Sequence, residues 1–393
     1  MVAPFPDEPV ELVFLGTGTS SSVPHVDCLT APPDAKPCKT CLSTLYPEGK
    51  KNIRRNTSAV LRVRGSDGEK RTIVIDVGKS FQASAIEWFP KFGLRRIDAV
   101  LITHAHADAM NGLDDLRGWT LGGAIQSHVD LYVTMHTFRE VQRAFPYLVS
   151  KEFASGGGDV PEFKWHIIED RVPFEIENTG IKITPFAVHH GRFFSTLPAR
   201  EFYPTPDSIS PASTSPSTPV EQPGTPPSME EPAKEHKAIQ PYFCLGFIIQ
   251  NTITYLSDVS HIPEDIWSLF GRAGNEAQDA VAVVPPVFIL DCLRLEPHTS
   301  HLGVAEAVAV ARRMGAKRTY LTGFGHEVSH EEYVTVTETL EGGKVKPAHK
   351  LTLTERAALA LVPAGEPLWL RPAFDGLRLF VSEEKEVIDE EYD

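Results

Sequence analysis

Between Leu101 and Arg117 the chain reads LITHAHADAMNGLDDLR, setting His104, His106 and Asp108 at alternate positions behind an apolar run. Imidazole nitrogens bind a borderline-soft dication such as zinc at about 2.0–2.1 Å. In an extended turn His104 and His106 fall on one side, so one ion can take both, while Asp108 is displaced by half a turn and can serve a neighbouring ion. Two surface histidines in a loop would give the same short pattern. The rest of the chain separates the two readings. His189 and His190 close the stretch FAVHH, Asp258 closes TITYLSD, and His326 follows the strand in RTYLTGFGH. Each is a metal-capable side chain just past a predicted strand, where open α/β sheets place their chemistry. A second donor group is made of sulfur. Cys28, Cys38 and Cys41 share one loop, and CKTC has the spacing that lets a turn present two thiolates to one zinc. Free thiols are the alternative there. Cys244 and Cys292 lie in apolar strands and read as core.

Such donors need a scaffold that brings distant strand ends together. VELVFLGTGTSSS reads as a strand ending in a Gly/Ser turn, and TSAVLRVR and TIVIDVG as strands joined by GSDGEK. SFQASAIEWFPKFG has helical spacing, with Phe81, Ala85, Trp88 and Phe89 on one face. IDAVLITH is a buried strand that delivers His104. VDLYVTM predicts a strand, TFREVQRAFP a helix, and FKWHIIE, PFEIE and IKITPFAVHH three strands of an antiparallel meander. YFCLGFIIQ and TITYLSDVS predict a hairpin turning at Gln250–Asn251. Helix and strand then alternate through PEDIWSLFG, AVAVVPPVFILD, GVAEAVAVARRMG, RTYLTGF and EEYVTVTETL. The fold class is α/β.

From Pro204 to Pro232, 19 of 29 residues are Pro, Ser or Thr. Too little apolar surface is present to offset ordering entropy, so disorder is expected. Long surface insertions cost little in loop-closure entropy. Residues 1–203 and 238–393 therefore read as two parts of one domain around a disordered insertion over 204–237, with an acidic C-terminal tail.

The 393-residue chain carries a formal charge of -14, which argues against a protein built to grip a phosphate backbone. Nothing near the N-terminus reads as a secretory signal, and no apolar run reaches the ~20 residues of a membrane helix. Five cysteines are too sparse, and odd in number, for a disulfide framework. A cytoplasmic protein is expected, with no membrane partner.

The order H-x-H-x-D, His, Asp, His resembles the metallo-β-lactamase fold superfamily, a four-layer αβ/βα sandwich holding one or two metals between its sheets. LGTGTSSSVP, RRNTSAVL, HADAMNGLDDLR, HGR, YLSDVSHIPE, PHTSHLGVAEA, TYLTGFGH and RPAFDGLRLF are similar to the branch that includes the cyclic phosphodiesterase of the carbon–phosphorus lyase pathway. The resemblance implies a first ion on His104, His106 and His190, which precedes a glycine as that branch requires, with Asp258 bridging. It implies a second ion on Asp108, Asp258 and His326. It also implies a structural zinc on Cys28, Cys38, Cys41 and His330, the histidine just past the last catalytic ligand. Most relatives continue H-x-H-x-D-H, whereas Ala109 stands here. Either water completes the second ion's shell, or Asp114 or Asp115 substitutes, or that site is weak. The cofactors expected are therefore zinc at two catalytic sites, the second weak or manganese-occupied, and one structural zinc.

The activity this implies is metal-assisted hydrolysis of a small, cyclic phosphodiester by a hydroxide generated near neutral pH. Asp258 would orient the hydroxide. His301, in HTSHLG ahead of a predicted helix, is the candidate proton donor to the leaving oxygen, ahead of His298. A small phosphodiester is the expected partner, nucleic acid is not, and a homodimer is admitted. A nuclease resembling the tRNA 3′-processing endonuclease and a thioester hydrolase are the enzymatic alternatives. A zinc-bound binding protein with a degenerate second site is the non-enzymatic one.

Overall fold

The computed structural model describes residues 9–193, 240–270, 284–343 and 346–393. The stretch 204–237, expected to be disordered, lies outside the described residues.

Two-sided burial of the strands sets the architecture. In β1 (Val10–Gly16), Val10, Leu12 and Phe14 join one apolar cluster while Val13 and Leu15 join another. β11 (Val287–Asp291) does the same with Val287 and Ile289 against Phe288 and Leu290. Strands apolar on both faces need cover on both, and three clusters supply it. One lies between two sheets, with Phe14, Leu61, Phe247, Tyr255 and Tyr320. A second packs the helix Phe81–Phe92 on the outer face of the first sheet. A third packs the helices Val304–Met314 and His330–Leu340 on the outer face of the second. The result is helix, sheet, sheet, helix: the four-layer αβ/βα sandwich. Among the described residues no helix is long and apolar enough to cross a membrane.

The first sheet contains β1, β2 (Ser58–Arg64), β3 (Lys70–Ile75), β4 (Ala99–Leu101), β5 (Val129–Val133), β6 (Phe163–Ile167), β14 (Arg378–Val381) and β15 (Val387–Asp389), in the order β15-β14-β1-β2-β3-β4-β5-β6. The second contains β7 (Phe174–Glu175), β8 (Lys182–Arg192), β9 (Pro241–Ile249), β10 (Ile253–Leu256), β11, β12 (Arg318–Thr322) and β13 (Leu370–Pro372), in the order β13-β12-β11-β10-β9-β8-β7. β3 to β6 run parallel, as do β10 to β13. Each parallel run lines up its C-terminal ends on one edge.

The hairpin forms as its sequence predicts. Ile249 faces Ile253 across a three-residue connection, in which Gln250 and Asn251 take left-handed φ of 50° and 49° and Thr252 N donates to the Ile249 carbonyl at 2.9 Å. The meander does not form. FKWHI is β6, parallel to β5 in the first sheet, so that of the three expected strands β7 and β8 alone pair with each other, antiparallel, in the second. Between them the chain crosses from one sheet to the other, turning at Arg171 (φ 60°), whose N–H donates to the Pro185 carbonyl. A short alternating run reveals its own face but not its partner.

Candidate metal centres

Past β4, Thr103 and His104 enter the cleft between the sheets. Thr103 N donates to Asp76 Oδ1 and Thr103 Oγ1 to Asp76 Oδ2, both at 2.8 Å. With its hydrogen committed, Thr103 Oγ1 accepts from His104 Nδ1 at 2.8 Å, which leaves Nε2 as the lone-pair nitrogen. That Nε2 is buried with no hydrogen-bond partner among the described residues. Such an orphan costs about 1–3 kcal/mol, which a cation in the cleft would relieve.

His190 is fixed in the same manner. Its Nδ1 donates to the Ser300 carbonyl at 2.8 Å, and its Nε2 lies 3.2 Å from His106 Nδ1. Two imidazole nitrogens on one zinc are about 3.3 Å apart, so this spacing fits a shared ion. The glycine that follows is required here: Gly191 has φ 74°, and a Cβ on it would come within 3.0 Å of Ser300 Cβ. His189 points elsewhere, toward Phe243 and His261. The ligating nitrogens of His104, His106 and His190 all lie within 4.8 Å of one another. Burial holds the pKa of His104 well down, and burial together with His190 lowers His106 to about 4. Both rings are therefore neutral, the form that binds metal. Tyr242 lies flat against His106, the ring planes 1° apart and the centroids 4.6 Å apart, with its hydroxyl accepting from Ala105 N.

Asp258 and His301 complete the cleft, with one atom of each and of His190 within a common 4.8 Å. Burial opposes ionisation of Asp258, yet His104, His190 and His301 around it hold its pKa at about 2. Burial likewise works to lower His301, but Asp291, whose carboxylate takes His301 Nδ1 at 3.1 Å, outweighs it with Asp258 and Asp108 and carries it to about 9. Asp108 is pushed up by burial and by Asp258. Asp114 does not substitute for the missing ligand at 109. It is gripped by Arg117 at 2.6 and 3.1 Å and accepts from Tyr147.

The second cluster corrects the assignment of two histidines. His326 does not enter the cleft: its Nδ1 lies 3.2, 3.7 and 3.5 Å from the sulfurs of Cys28, Cys38 and Cys41. The N–S edge of a zinc tetrahedron is about 3.6 Å, so Cys28, Cys38, Cys41 and His326 match a closed Cys₃His set. The predicted fourth ligand, His330, is buried elsewhere. Its Nε2 meets the Tyr392 hydroxyl at 3.3 Å and its ring stands edge-on to Phe374. The cause is local. Ser329 caps a helix that begins at His330, and the His330 N–H donates to Asn52. Arg54, fully buried, donates to the Gly325 and Val328 carbonyls on either side of His326 and so fixes its loop against the cysteines. His25 stacks on His326 at 3.9 Å, and its N–H donates to Cys41 Sγ. Burial pushes the Cys41 thiol up to about 12, so a thiolate there calls for a cation.

Sequence reasoning passed over Asp76, Thr103, Tyr242, Asp291 and Arg54. For Asp76 and Asp291 a signal was present: each ends an apolar strand, in TIVID and VFILD, as Asp258 ends TITYLSD. Arg54 and Tyr242 carry no local signal, because each acts through a segment far away in the chain.

A model of the beta-lactamase superfamily domain matches residues 71–201 and 207–324, more than half of the chain. A diphosphatase from the PhnP family shares the fold, with a TM-score of 0.58 at 22% identity over 97% of this chain and 100% of that one. So does Zn²⁺-bound PqqB from Methylobacterium extorquens, with a TM-score of 0.56 at 16% identity over 94% and 100%. An octanoyltransferase of Porphyromonas gingivalis is 30% identical over 182 residues, 46% of this chain and 31% of that protein. The chain thus spans about a third of that relative's length. Sandwich topology, cleft position and matched residues agree, and the chain belongs to the beta-lactamase superfamily in its metallo-β-lactamase fold.

Proposed function

We propose that the chain is a metal-dependent hydrolase that cleaves a small, cyclic phosphodiester. The observation that carries this reading is the convergence of His104, His106, His190, Asp258 and the Asp291-held His301 on one cleft from stretches far apart in the chain. The three histidines and Asp258 would hold a divalent cation, which would supply Lewis acidity to neutralise phosphoryl charge and acidify water. Asp258, ionised at the meeting point of His104, His190 and His301, orients the attacking water. Asp291 takes the Nδ1 hydrogen of His301, which leaves Nε2 to serve the leaving oxygen. As water adds to phosphorus and the P–O bond breaks, His301 gives its proton to that oxygen. The water's surplus proton later restores the imidazolium, and a cyclic diester leaves as a phosphomonoester bearing a free hydroxyl. The shared fold of the PhnP-family diphosphatase also favours chemistry at phosphorus.

A cavity of about 770 Å³ favours a second reading. It is lined by Tyr242, Phe243, Leu245, Pro263 and Ile266 and backs onto the cleft through Tyr242. An acyl chain would fit it, which suits thioester hydrolysis, and one relative is named for octanoyl transfer. A screen separates the two. Metal-loaded protein is expected to turn over a five-membered cyclic phosphate and bis(p-nitrophenyl) phosphate faster than octanoyl thioesters, with His106→Ala inactive. Thioester turnover alone would select the second reading, and no turnover of either class would remove both.

A further inference from the structure

We infer that the cleft is built for one catalytic ion rather than two. The inference rests on the hydrolase reading of this cleft and concerns how many cations it holds. A second ion beside Asp258 needs donors beyond the three histidines, and the fold withholds them at two places. The first is Ala109, buried and without a ligating atom. The second is the loop after β12. It meets the wall of the cleft at Gly323, where an added Cβ would lie 2.5 Å from Asp291 Oδ1 and 3.4 Å from the Ser257 carbonyl. That loop offers its first imidazole at His326, which the three cysteines take.

Among the described residues, a second ion is left with a pair of carboxylates, Asp108 and the shared Asp258, together with His301; the sulfur of Cys244, also close to Asp258, lies behind His104, 3.7 Å from its Nδ1. His301 Nδ1 is held by both oxygens of Asp291, at 3.2 and 3.1 Å, and stands 3.9 Å from Asp258 Oδ1. The imidazole thus fills the space next to Asp258, while Lys79 supplies positive charge to Asp108. Two carboxylates without an imidazole suit a hard cation that keeps most of its water, which is a weak site for zinc. In this arrangement His301 stays free for proton transfer.

Counting metal in purified full-length protein, by elemental analysis after dialysis against buffer with excess zinc removed, tests the inference. Two ions per chain are expected, one in the cleft and one on the cysteines. His106→Ala should hold one, and His301→Gln should still hold two. Cobalt titration of metal-free protein should saturate at two equivalents, one of them with thiolate charge-transfer absorption. Three ions per chain, falling to two in His301→Gln, would overturn the inference and make His301 a ligand. A single ion that His106→Ala leaves in place would remove the hydrolase reading along with it.

Discussion

The two donor clusters are built in opposite ways. In the cleft the imidazoles are fixed from behind: the ligands His104 by Thr103 and Asp76 and His190 by Ser300, and the proton donor His301 by Asp291. The sheets beneath are buried on both faces, and each fully buried Leu or Phe adds about 1.5–3 kcal/mol. That framework stands without help from an ion. The cysteine cluster sits in a loop with two short helices, Val26–Leu29 and Lys39–Ser43, of which the first has no buried residue. Its order depends on Arg54, on the stacking of His25 and on whatever the sulfurs bind. One cluster is a rigid frame awaiting a reaction, and the other is a clasp that closes a loop.

The widest expected separation between them is kinetic. His106→Ala should lower turnover by ~1000-fold or more, as loss of a transition-state cation does. Its melting temperature should stay within a few degrees, because His106 supports no packing that Tyr242 cannot keep. A steep fall in melting temperature would show that the cleft is a clasp too. Cys41→Ser should do the reverse, since metal affinity at closed thiolate sites is folding energy. A loss of several kcal/mol in urea unfolding is expected, with a melting temperature that drops on adding a chelator in the wild type but not in the variant. An unchanged midpoint would dissolve the distinction.

How far the sequence disclosed this contrast depends on the range of the signal. His104, His106 and Asp108 are legible because one strand end carries all three, and CKTC because one turn carries two sulfurs. The α/β class is legible from the alternation of strand and helix patterns, and the four layers only through the family resemblance that the motifs carry. The exchange of His326 and His330 was not legible, because they stand four positions apart after β12 and their roles are set by where the next helix starts. Ser329, with Glu332 returning to its N–H, is the cap, and it turns His330 inward. The capping box was written in SHEE, so this part could have been read. Arg54 could not, because its partners lie 271 and 274 residues away.

A finer test asks whether the residue behind the cleft's proton donor is mechanically separate from it. His301→Gln should cost ~100-fold in turnover of a substrate with a poor leaving group and far less with p-nitrophenolate, which departs without a proton. Asp291→Asn should follow the same leaving-group pattern more weakly, since it frees the His301 ring without removing it. Equal losses on both substrates would mean that His301 acts on phosphorus or on metal rather than on the leaving oxygen.

The smallest expected effect divides the two histidines that follow β12. Burial, with Arg54 and Lys51 nearby, holds His330 down at about 3, against an ordinary value of 6.5. Unfolded chains take up a proton at this position as pH falls through 6.5, while the folded protein does so only near 3. Through that window the unfolded state binds more protons, so stability is complete above it and declines as pH falls. The limiting slope is about 1.4 kcal/mol per pH unit for one group. His330→Gln removes this contribution and keeps a polar atom for Tyr392. The unfolding free energies at pH 7 and pH 5, from urea titrations, should therefore differ by about 2 kcal/mol less in the variant than in the parent. Zinc content should be the same in both, since His326 and not His330 faces the sulfurs. If His330→Gln lost the cysteine-bound ion instead, the clasp would close on the other histidine and the loop would have to be drawn again.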